Sequence, residues 1–215
     1  MQQPLISASI LAADFSNLSK EINAVQAAGA DMIHLDIMDG CFVPNITFGC
    51  DLIKSIRKCT QLPFDTHLMI SNPENHIEAF AKAGADIITI HAEATVHLDR
   101  VINQISALGK KVGLALNPTT HENVLDYIID KLDYILIMTV NPGYYGQAFM
   151  DNQLSKVASI RKTIQNKKLD IMLAVDGGLN PENSKKAVAA GANVIVAAKA
   201  IFGSNNYAKA IKDLR

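Results

Sequence analysis

The sequence predicts an α/β protein in which residues 1–215 form a single (β/α)8 barrel of the TIM type. Three observations predict this fold. Eight short apolar runs alternate with segments of helical spacing, three helix-to-strand junctions repeat one pattern, and no linker or low-complexity segment divides the chain. A doubly wound open sheet is the alternative that the same alternation allows.

The eight predicted strands share one composition. Each is short, rich in β-branched residues and apolar at most positions, as expected for parallel strands that are buried on both faces. In chain order they are LISASI (5–10), DMIHLDIM (31–38), PFDTHLMI (63–70), DIITIHA (86–92), KVGLALN (111–117), DYILIMTV (133–140), DIMLAVD (170–176) and NVIVAA (193–198).

Helical segments lie between these runs and carry start and stop signals. Asn or Asn-Pro opens several of them and Gly closes most, because Asn caps a first turn and Gly can take the left-handed conformation that ends a helix. The junctions at 27–36, 82–92 and 189–198 repeat a small helix end and a Gly just before a strand. The clearest helical segments are residues 17–29, 72–84, 96–109 and 180–191.

The composition excludes several classes of partner. The 215 residues are 49% hydrophobic, and 20 Lys and Arg against 21 Asp and Glu give a net charge of -1, so we expect no nucleic-acid or membrane partner. No basic leader precedes the first apolar run, and no stretch reaches the ~18 apolar residues of a membrane span. We therefore expect a cytoplasmic protein whose Cys41, Cys50 and Cys59 are reduced thiols.

Polar side chains interrupt the apolar pattern late in three of the predicted strands. His34 and Asp36 are two residues apart and so share one face of their strand, while His67 and Asp176 lie late in two others. In a barrel these strand ends converge at the mouth, where active sites form. Two imidazoles and two carboxylates suit Zn²⁺, Fe²⁺, Co²⁺ or Mn²⁺, and a cation would offset the cost of burying the carboxylates.

Other residues near the strand ends have less specific interpretations. Met38, Met69 and Met138 are core filler by default, or a lining that keeps water from a reactive intermediate. His91 and His97 are interpreted as structural residues, although His91 could line the barrel.

Glycines after the sixth and seventh runs are candidates for a phosphate site. In barrels the late loops often bind anions through backbone N–H groups, and Gly permits a close approach. Gly177 and Gly178 follow the seventh run, while Gly143 and Gly146 follow the sixth and could also hinge a lid. A plain turn explains a pair of loop glycines equally well.

Five longer motifs lie in order across nearly the whole chain: SASILAADF (7–15), HLDIMDGCFVPNITFG (34–49), THLMI (66–70), MTVNPGYYGQ (138–147) and VDGGLN (175–180). They resemble the motifs of the ribulose-phosphate 3-epimerase family, and the second is the most specific. The resemblance implies a metal-dependent barrel of the pentose phosphate pathway that interconverts D-ribulose 5-phosphate and D-xylulose 5-phosphate. It also implies two-carboxylate proton transfer at C3 through a metal-stabilised enediolate.

The resemblance implies a role for each candidate residue. One divalent metal ion per chain, with Zn²⁺ or Fe²⁺ favoured over Co²⁺ or Mn²⁺, would be held by His34, Asp36, His67 and Asp176. The two aspartates would also act as acid and base, on a small sugar phosphate. By analogy with other proteins of this fold, we also expect a homo-oligomer. Substrate contacts are expected from Ser9, His67, Gly143, Tyr144, Tyr145, Gly146, Asp176, Gly177, Gly178, Ala198 and Lys199.

The chain departs from the family pattern on its phosphate side. Tyr145 replaces a glycine in the NPGYYGQ loop, and Ala198 and Lys199 replace a Gly-Ser pair after the eighth run. Backbone donors remain at both positions if Tyr145 and Ala198 take the required dihedral angles. Lys199 either adds a charge for the phosphate or points into solvent.

Three rival functions remain open at this point. An epimerase for a six-carbon ketose 6-phosphate, such as D-allulose 6-phosphate, is compatible with the altered phosphate loop. A phosphate-binding barrel decarboxylase or aldolase would more naturally place a lysine beside its aspartates, and no lysine accompanies Asp36 on its strand. A barrel that binds a metal or sugar phosphate without turnover is the third.

Overall fold

Eight parallel strands pair in chain order in the computed structural model, which describes residues 3–215. The last strand pairs with the first, so the sheet closes into a barrel. This closure confirms the predicted (β/α)8 fold and excludes the open sheet. The strands are β1 Leu5–Ser9, β2 Met32–Met38, β3 Phe64–Met69, β4 Ile87–His91, β5 Lys111–Leu116, β6 Tyr134–Met138, β7 Met172–Asp176 and β8 Val194–Ala197.

Helices cover the outside of the barrel. One connection differs from the others, because β5 and β6 are joined by two 3-10 turns, Glu122–Leu125 and Ile129–Lys131, in place of an α-helix. No helix within residues 3–215 combines the length and the apolar character needed to cross a membrane. The α-helices are α1 Leu18–Ala27, α2 Cys50–Ile56, α3 Ile77–Ala83, α4 Leu98–Ala107, α5 Leu154–Lys167, α6 Pro181–Ala190, α7 Lys199–Phe202 and α8 Tyr207–Leu214.

The predicted start and stop signals act together at α6. The Asn180 side chain accepts a hydrogen bond from the Asn183 N–H, and the Asn183 side chain accepts one from the Asn180 N–H. Pro181 follows as the first helical residue, where its missing N–H costs nothing. Gly191 ends the helix with a φ of 115°, which turns the chain toward β8.

The same Asn-Pro pattern acts differently before α3. Asn72 is itself left-handed, with a φ of 51°, and makes no side-chain cap. Pro73 opens a 3-10 turn, so the α-helix begins only at Ile77. Gly84 then ends it in the left-handed conformation, as the sequence predicted.

Side chains on each strand alternate between two apolar regions. On β2, Ile33, Leu35 and Ile37 belong to the large core between barrel and helices. His34 and Asp36 occupy the intervening positions and therefore point into the barrel. The apolar part of the barrel interior is filled by Met32, Ile87, Ala115, Tyr134, Leu136, Met138, Val140, Ala174, Val194 and Val196.

Candidate active site

Four side chains from three strands meet at the C-terminal end of the barrel interior. His34 and Asp36 of β2, His67 of β3 and Asp176 of β7 each place one ligand atom within 4.8 Å of the others. His34 Nε2 lies 3.4 Å from Asp36 Oδ1 and 3.7 Å from Asp176 Oδ2. His67 Nδ1 lies 3.5 Å and 3.8 Å from the same two oxygens. The four atoms therefore surround a common point.

Strand register brings these residues together. Asp36 pairs with His67 across β2 and β3, so the two side chains leave the sheet side by side. Asp176 is the last residue of β7 and pairs with Met138 of β6. Because every strand of a parallel barrel ends at the same rim, residues that are far apart in sequence arrive at one level.

The residues fit a divalent metal ion. His34 Nε2 and His67 Nδ1 have no hydrogen-bond partner within the described chain, although both rings are fully buried. Burying an unpaired polar atom is costly, and a cation between two such nitrogens and two carboxylate oxygens would satisfy all four. Mixed nitrogen and oxygen donors of this kind suit Zn²⁺, Fe²⁺, Co²⁺ or Mn²⁺.

The other ring nitrogen of His34, Nδ1, makes a hydrogen bond on the side that faces away from the cluster. His34 Nδ1 lies 2.7 Å from Asp65 Oδ2. The same oxygen accepts hydrogen bonds from Ser7 Oγ at 3.1 Å and from Tyr134 Oη at 2.8 Å. Burial and the adjacent Asp65 raise the pKa of Tyr134 well above its usual range, so its hydroxyl remains a donor. The ring of His34 is thereby fixed with Nε2 facing the cluster.

The two aspartates of the cluster have different surroundings. Burial by itself would raise the pKa of Asp36, but the neighbouring His34 and His67 outweigh burial and hold that pKa well below its usual range. Burial raises the pKa of Asp176, and the opposing effect of His34 is not sufficient to restore it. Two carboxylates in environments that separate their pKa values are an arrangement found in acid–base pairs.

A cavity of about 300 Å³ opens over the cluster. Asp36 and Asp176 line it, whereas His34 and His67 lie behind them and do not. This volume is at the small end of the usual range for ligand pockets, so it suits a small substrate. The cavity is also lined by Ser9, Met38, Met69, Met138, Gly143, Tyr144, Tyr145, Gly146, Gly177, Gly178, Ala198 and Lys199.

The glycines after β7 are required by the backbone. Gly177 has a φ of 117°, and a Cβ there would lie 2.5 Å from Val140 Cγ2. Gly178 has a φ of 68°, and its Cβ would lie 2.7 Å from both Gln147 O and Phe149 N. Any side chain at these positions would be strained and would collide with the loop after β6. The pair therefore packs this loop against the rim of the cavity.

The two departures from the family pattern cause no backbone strain of the left-handed kind. Among the described non-glycine residues, only Asn72 and Lys168 have a positive φ, so Tyr145 and Ala198 do not. The Tyr145 side chain lines the cavity at its exposed end. Lys199 lines the cavity as the first residue of α7.

His91 has a contact that the sequence analysis did not assign. Its fully buried ring lies on β4, and Nε2 is 2.8 Å from His67 Nε2. Burial lowers the pKa of His91 to about 4, so its ring is neutral. The spacing of Thr89 and His91 on the inward face, followed by Glu93, was the available signal. His97 is exposed and lies outside the site.

Fold, cluster and cavity together define a (β/α)8-barrel enzyme with an imidazole–carboxylate centre at its mouth. A sequence model of the ribulose-phosphate 3 epimerase family matches residues 5–202. The chain belongs to this family.

Individual relatives agree with the family match. The chain is 50% identical over 213 residues to the ribulose-phosphate 3-epimerase of Synechocystis sp., which covers 98% of this chain and 93% of the relative. It is 47% identical over 211 residues to the same enzyme of Bacillus subtilis, covering 98% and 97%. A crystal structure of 3-hexulose-6-phosphate synthase matches with a TM-score of 0.70 at 21% identity, covering 99% and 98%, which supports the fold alone.

Proposed function

We propose that this protein interconverts D-ribulose 5-phosphate and D-xylulose 5-phosphate by inverting the configuration at C3. One observation carries the proposal. In a chain of the epimerase family, Asp36 and Asp176 reach the same small cavity from strands that are not neighbours. The ligands named for the relatives are sugar phosphates, and the cavity volume of about 300 Å³ is compatible with one.

The two aspartates supply the proton chemistry. C3 lies next to the C2 carbonyl, so its proton can be removed by a carboxylate on one face and replaced by a carboxylic acid on the other. The two groups exchange roles in the reverse direction. Ser9 Oγ donates a 2.6 Å hydrogen bond to Asp36 Oδ2, which holds that carboxylate in one orientation toward the substrate.

One divalent cation is part of the proposal. His34, Asp36, His67 and Asp176 would hold it, and the unpaired nitrogens of the two buried rings support that assignment. When bound, the cation supplies Lewis-acid stabilisation of the negative charge that develops beside C3. A positioned acid or base alone contributes roughly 10²–10⁴-fold, so this stabilisation is needed for an enzymatic rate. Zn²⁺ or Fe²⁺ is favoured, and Co²⁺ or Mn²⁺ also suits the donors.

Three methionines protect the reacting carbon from water. Met38, Met69 and Met138 line the cavity and are at most 4% exposed. Water inside the cavity would weaken the electrostatic stabilisation of the negative charge that develops beside C3 and would allow side reactions of the intermediate. Because the apolar wall excludes water, the proton is returned to C3 by one of the two aspartates.

The phosphate is assigned to the glycine loops and Lys199. Gly177 and Gly178 allow the backbone to approach an anion closely, and Gly143 and Gly146 do the same from the loop after β6. Lys199 adds a cationic donor where it lines the cavity.

Turnover with solvent exchange tests the function directly. Purified full-length protein, supplied with Zn²⁺ or Fe²⁺, is incubated with D-ribulose 5-phosphate in deuterated water. We expect D-xylulose 5-phosphate in a coupled assay and one deuterium at C3 of the product. Substrate that retains its C3 proton, with no product formed, overturns the proposal.

A six-carbon substrate is the second candidate. The altered loops keep this candidate open, because Tyr145 stands at the exposed end of the cavity where the family pattern has glycine, and Lys199 stands where the pattern has serine. The ratio of kcat/KM on D-ribulose 5-phosphate and D-allulose 6-phosphate decides between the two. A larger value for the six-carbon sugar would replace the five-carbon assignment.

The cellular setting is proposed with the function. A single barrel domain acting in the cytoplasm as a homo-oligomer is compatible with three unpaired cysteines and with the family. Light scattering measures the mass of the assembly. A monomer at micromolar concentration would contradict the oligomer.

A further inference from the structure

A chain of hydrogen bonds runs from the ring nitrogen of His67 that points away from the cluster to the outside of the barrel. His67 Nε2 lies 2.8 Å from His91 Nε2, and the two ring planes differ by 29°. His91 Nδ1 lies 3.2 Å from Glu93 Oε2. Neither His91 nor Glu93 has a place in the cluster of four, and His91 does not line the cavity.

The direction of these bonds is fixed from the Glu93 end. A carboxylate only accepts hydrogen bonds, so His91 must carry its proton on Nδ1. His91 Nε2 is then a lone pair and accepts from His67, which must carry its proton on Nε2. His67 Nδ1 is left as a lone pair, and Nδ1 is the atom that faces Asp36 and Asp176.

His34 reaches the same state by a shorter route. Its Nδ1 donates directly to Asp65, so Nε2 is the nitrogen that faces the cluster and that would carry the lone pair when a cation is bound. With a cation bound, both imidazoles would present an unprotonated nitrogen to one point, and in each case a carboxylate would set the tautomer. For His67, however, the carboxylate acts through an intervening ring.

We infer that His91 and Glu93 are positioning residues of the metal centre, which fix His67 in the tautomer that can bind a cation. This inference rests on the metal site of the proposed function. Outer partners of this kind commonly change metal affinity when they are replaced.

Glu93 is itself held in one orientation. Its Oε1 accepts hydrogen bonds from the Asn117 N–H at 3.0 Å and from Thr120 Oγ1, both in the loop after β5. Its side chain is 26% exposed, so the chain of hydrogen bonds from His67 through His91 to Glu93 ends at the surface. A glutamine at this position has one acceptor oxygen, and the two donors from the loop would take it. Its NH₂ group would then face His91 and reverse both tautomers.

The reversal makes Glu93→Gln the decisive variant. The dissociation constant for Zn²⁺ is measured by competition with a chromophoric chelator on the full-length protein. We expect Glu93→Gln to raise it about 10–100-fold. The control is Glu78→Gln, which changes an exposed carboxylate that pairs with Lys82 and should leave the constant unchanged. Equal Zn²⁺ affinity in wild type and Glu93→Gln overturns the inference.

Two further measurements test whether His91 and Glu93 act on His67 through this chain of hydrogen bonds or only stabilise the fold. Nitrogen NMR of the Zn²⁺-loaded wild type should place the His91 proton on Nδ1, and a proton on Nε2 overturns the inference. In a His91→Phe background, Glu93→Gln should cause no additional loss of affinity. An undiminished effect there would mean that Glu93 does not act through His91. Because the readout is Zn²⁺ affinity, failure of the epimerase assay would overturn the proposed function and leave these results intact.

Discussion

His34 and Asp65 occupy paired positions on β2 and β3, and their side chains meet at 2.7 Å between Nδ1 and Oδ2. Asp65 is fully buried, as are Ser7 and Tyr134, which donate to the same oxygen. One carboxylate oxygen therefore gathers three buried donors inside the barrel. The orientation of the His34 nitrogen that would bind a cation therefore depends on Asp65, which does not line the cavity.

The buried acceptor predicts a large effect of Asp65→Ala on stability. Three buried polar groups lose their partner, so the free energy of unfolding should fall by about 3–5 kcal/mol. Tyr134→Phe removes a single hydrogen bond at the same oxygen and should cost only about 1 kcal/mol. Urea denaturation of both variants measures the difference. Equal stabilities would show that Asp65 is not the centre of this network.

Asp176→Asn should stop the proton exchange at C3 while it leaves the fold intact. The amide has the same shape as the carboxylate but cannot accept the proton, so kcat should fall by at least about 10²–10⁴-fold. Deuterium wash-in at C3 and circular dichroism measure the two effects. Asp170→Asn, at an exposed position just before β7, is the control. Normal exchange in Asp176→Asn would exclude the two-carboxylate scheme.

Removal of metal should abolish turnover reversibly. A strong chelator leaves two buried nitrogens without a partner, and added Zn²⁺ or Fe²⁺ should restore activity. The same addition should raise the free energy of unfolding by about 2.7 kcal/mol at a free concentration of 100 Kd. Elemental analysis accompanies each assay. Full activity in protein without bound metal would falsify the role assigned to the cation.

Lys199→Ala tests whether Lys199 binds the phosphate group of the proposed substrate. If the ammonium group binds phosphate, KM should rise while kcat changes little, because the contact is equally strong in ground state and transition state. Lys209→Ala, on the exposed face of α8, should leave both constants unchanged. Steady-state kinetics on D-ribulose 5-phosphate give the comparison. Unaltered KM in Lys199→Ala removes this side chain from the site.

Gly178→Ala and Gly109→Ala form a matched pair, because both glycines have a φ of 68°. At Gly109 an added Cβ would have no heavy atom of residues 3–215 within 4 Å apart from the glycine and its chain neighbours, so alanine should cost only the conformational strain, about 1 kcal/mol. At Gly178 the Cβ would also meet two backbone atoms at 2.7 Å, so the loss of stability should be clearly larger. Thermal unfolding of the two variants would reveal equal losses if the contact were unimportant.

The strands and the cluster could be predicted because period-two alternation fixes side-chain direction. Once His34 and Asp36 share a face, strand order alone brings them to His67 and Asp176 at the rim. The conformation of the turns was harder to predict from the sequence. Asn72 and Asn180 open identical Asn-Pro-Glu-Asn segments, yet only Asn180 caps a helix. The difference lies in the backbone conformation, which the tetrapeptide does not determine.

The part of the site that could not be predicted lies behind the ligands. His91 was interpreted as a structural residue because nothing else near it in the sequence suggested a ligand set. Its partner is another imidazole on the adjacent strand, a contact that depends on rotamers and not on strand order. The sequence also did not indicate that the connection between β5 and β6 would lack an α-helix, although this loop supplies the donors that hold Glu93.

The four side chains of the cluster differ in solvent exposure, and this difference determines the route by which an ion would enter and leave. His34 and His67 are sealed, the Asp36 side chain is 7% exposed and that of Asp176 is 17% exposed. An ion that moves between the cluster and bulk solvent would therefore pass Asp176 and cross the cavity assigned to the proposed substrate. A bound substrate would block this route. Exchange of the bound ion with solvent should therefore be slow during turnover and faster in the protein without substrate.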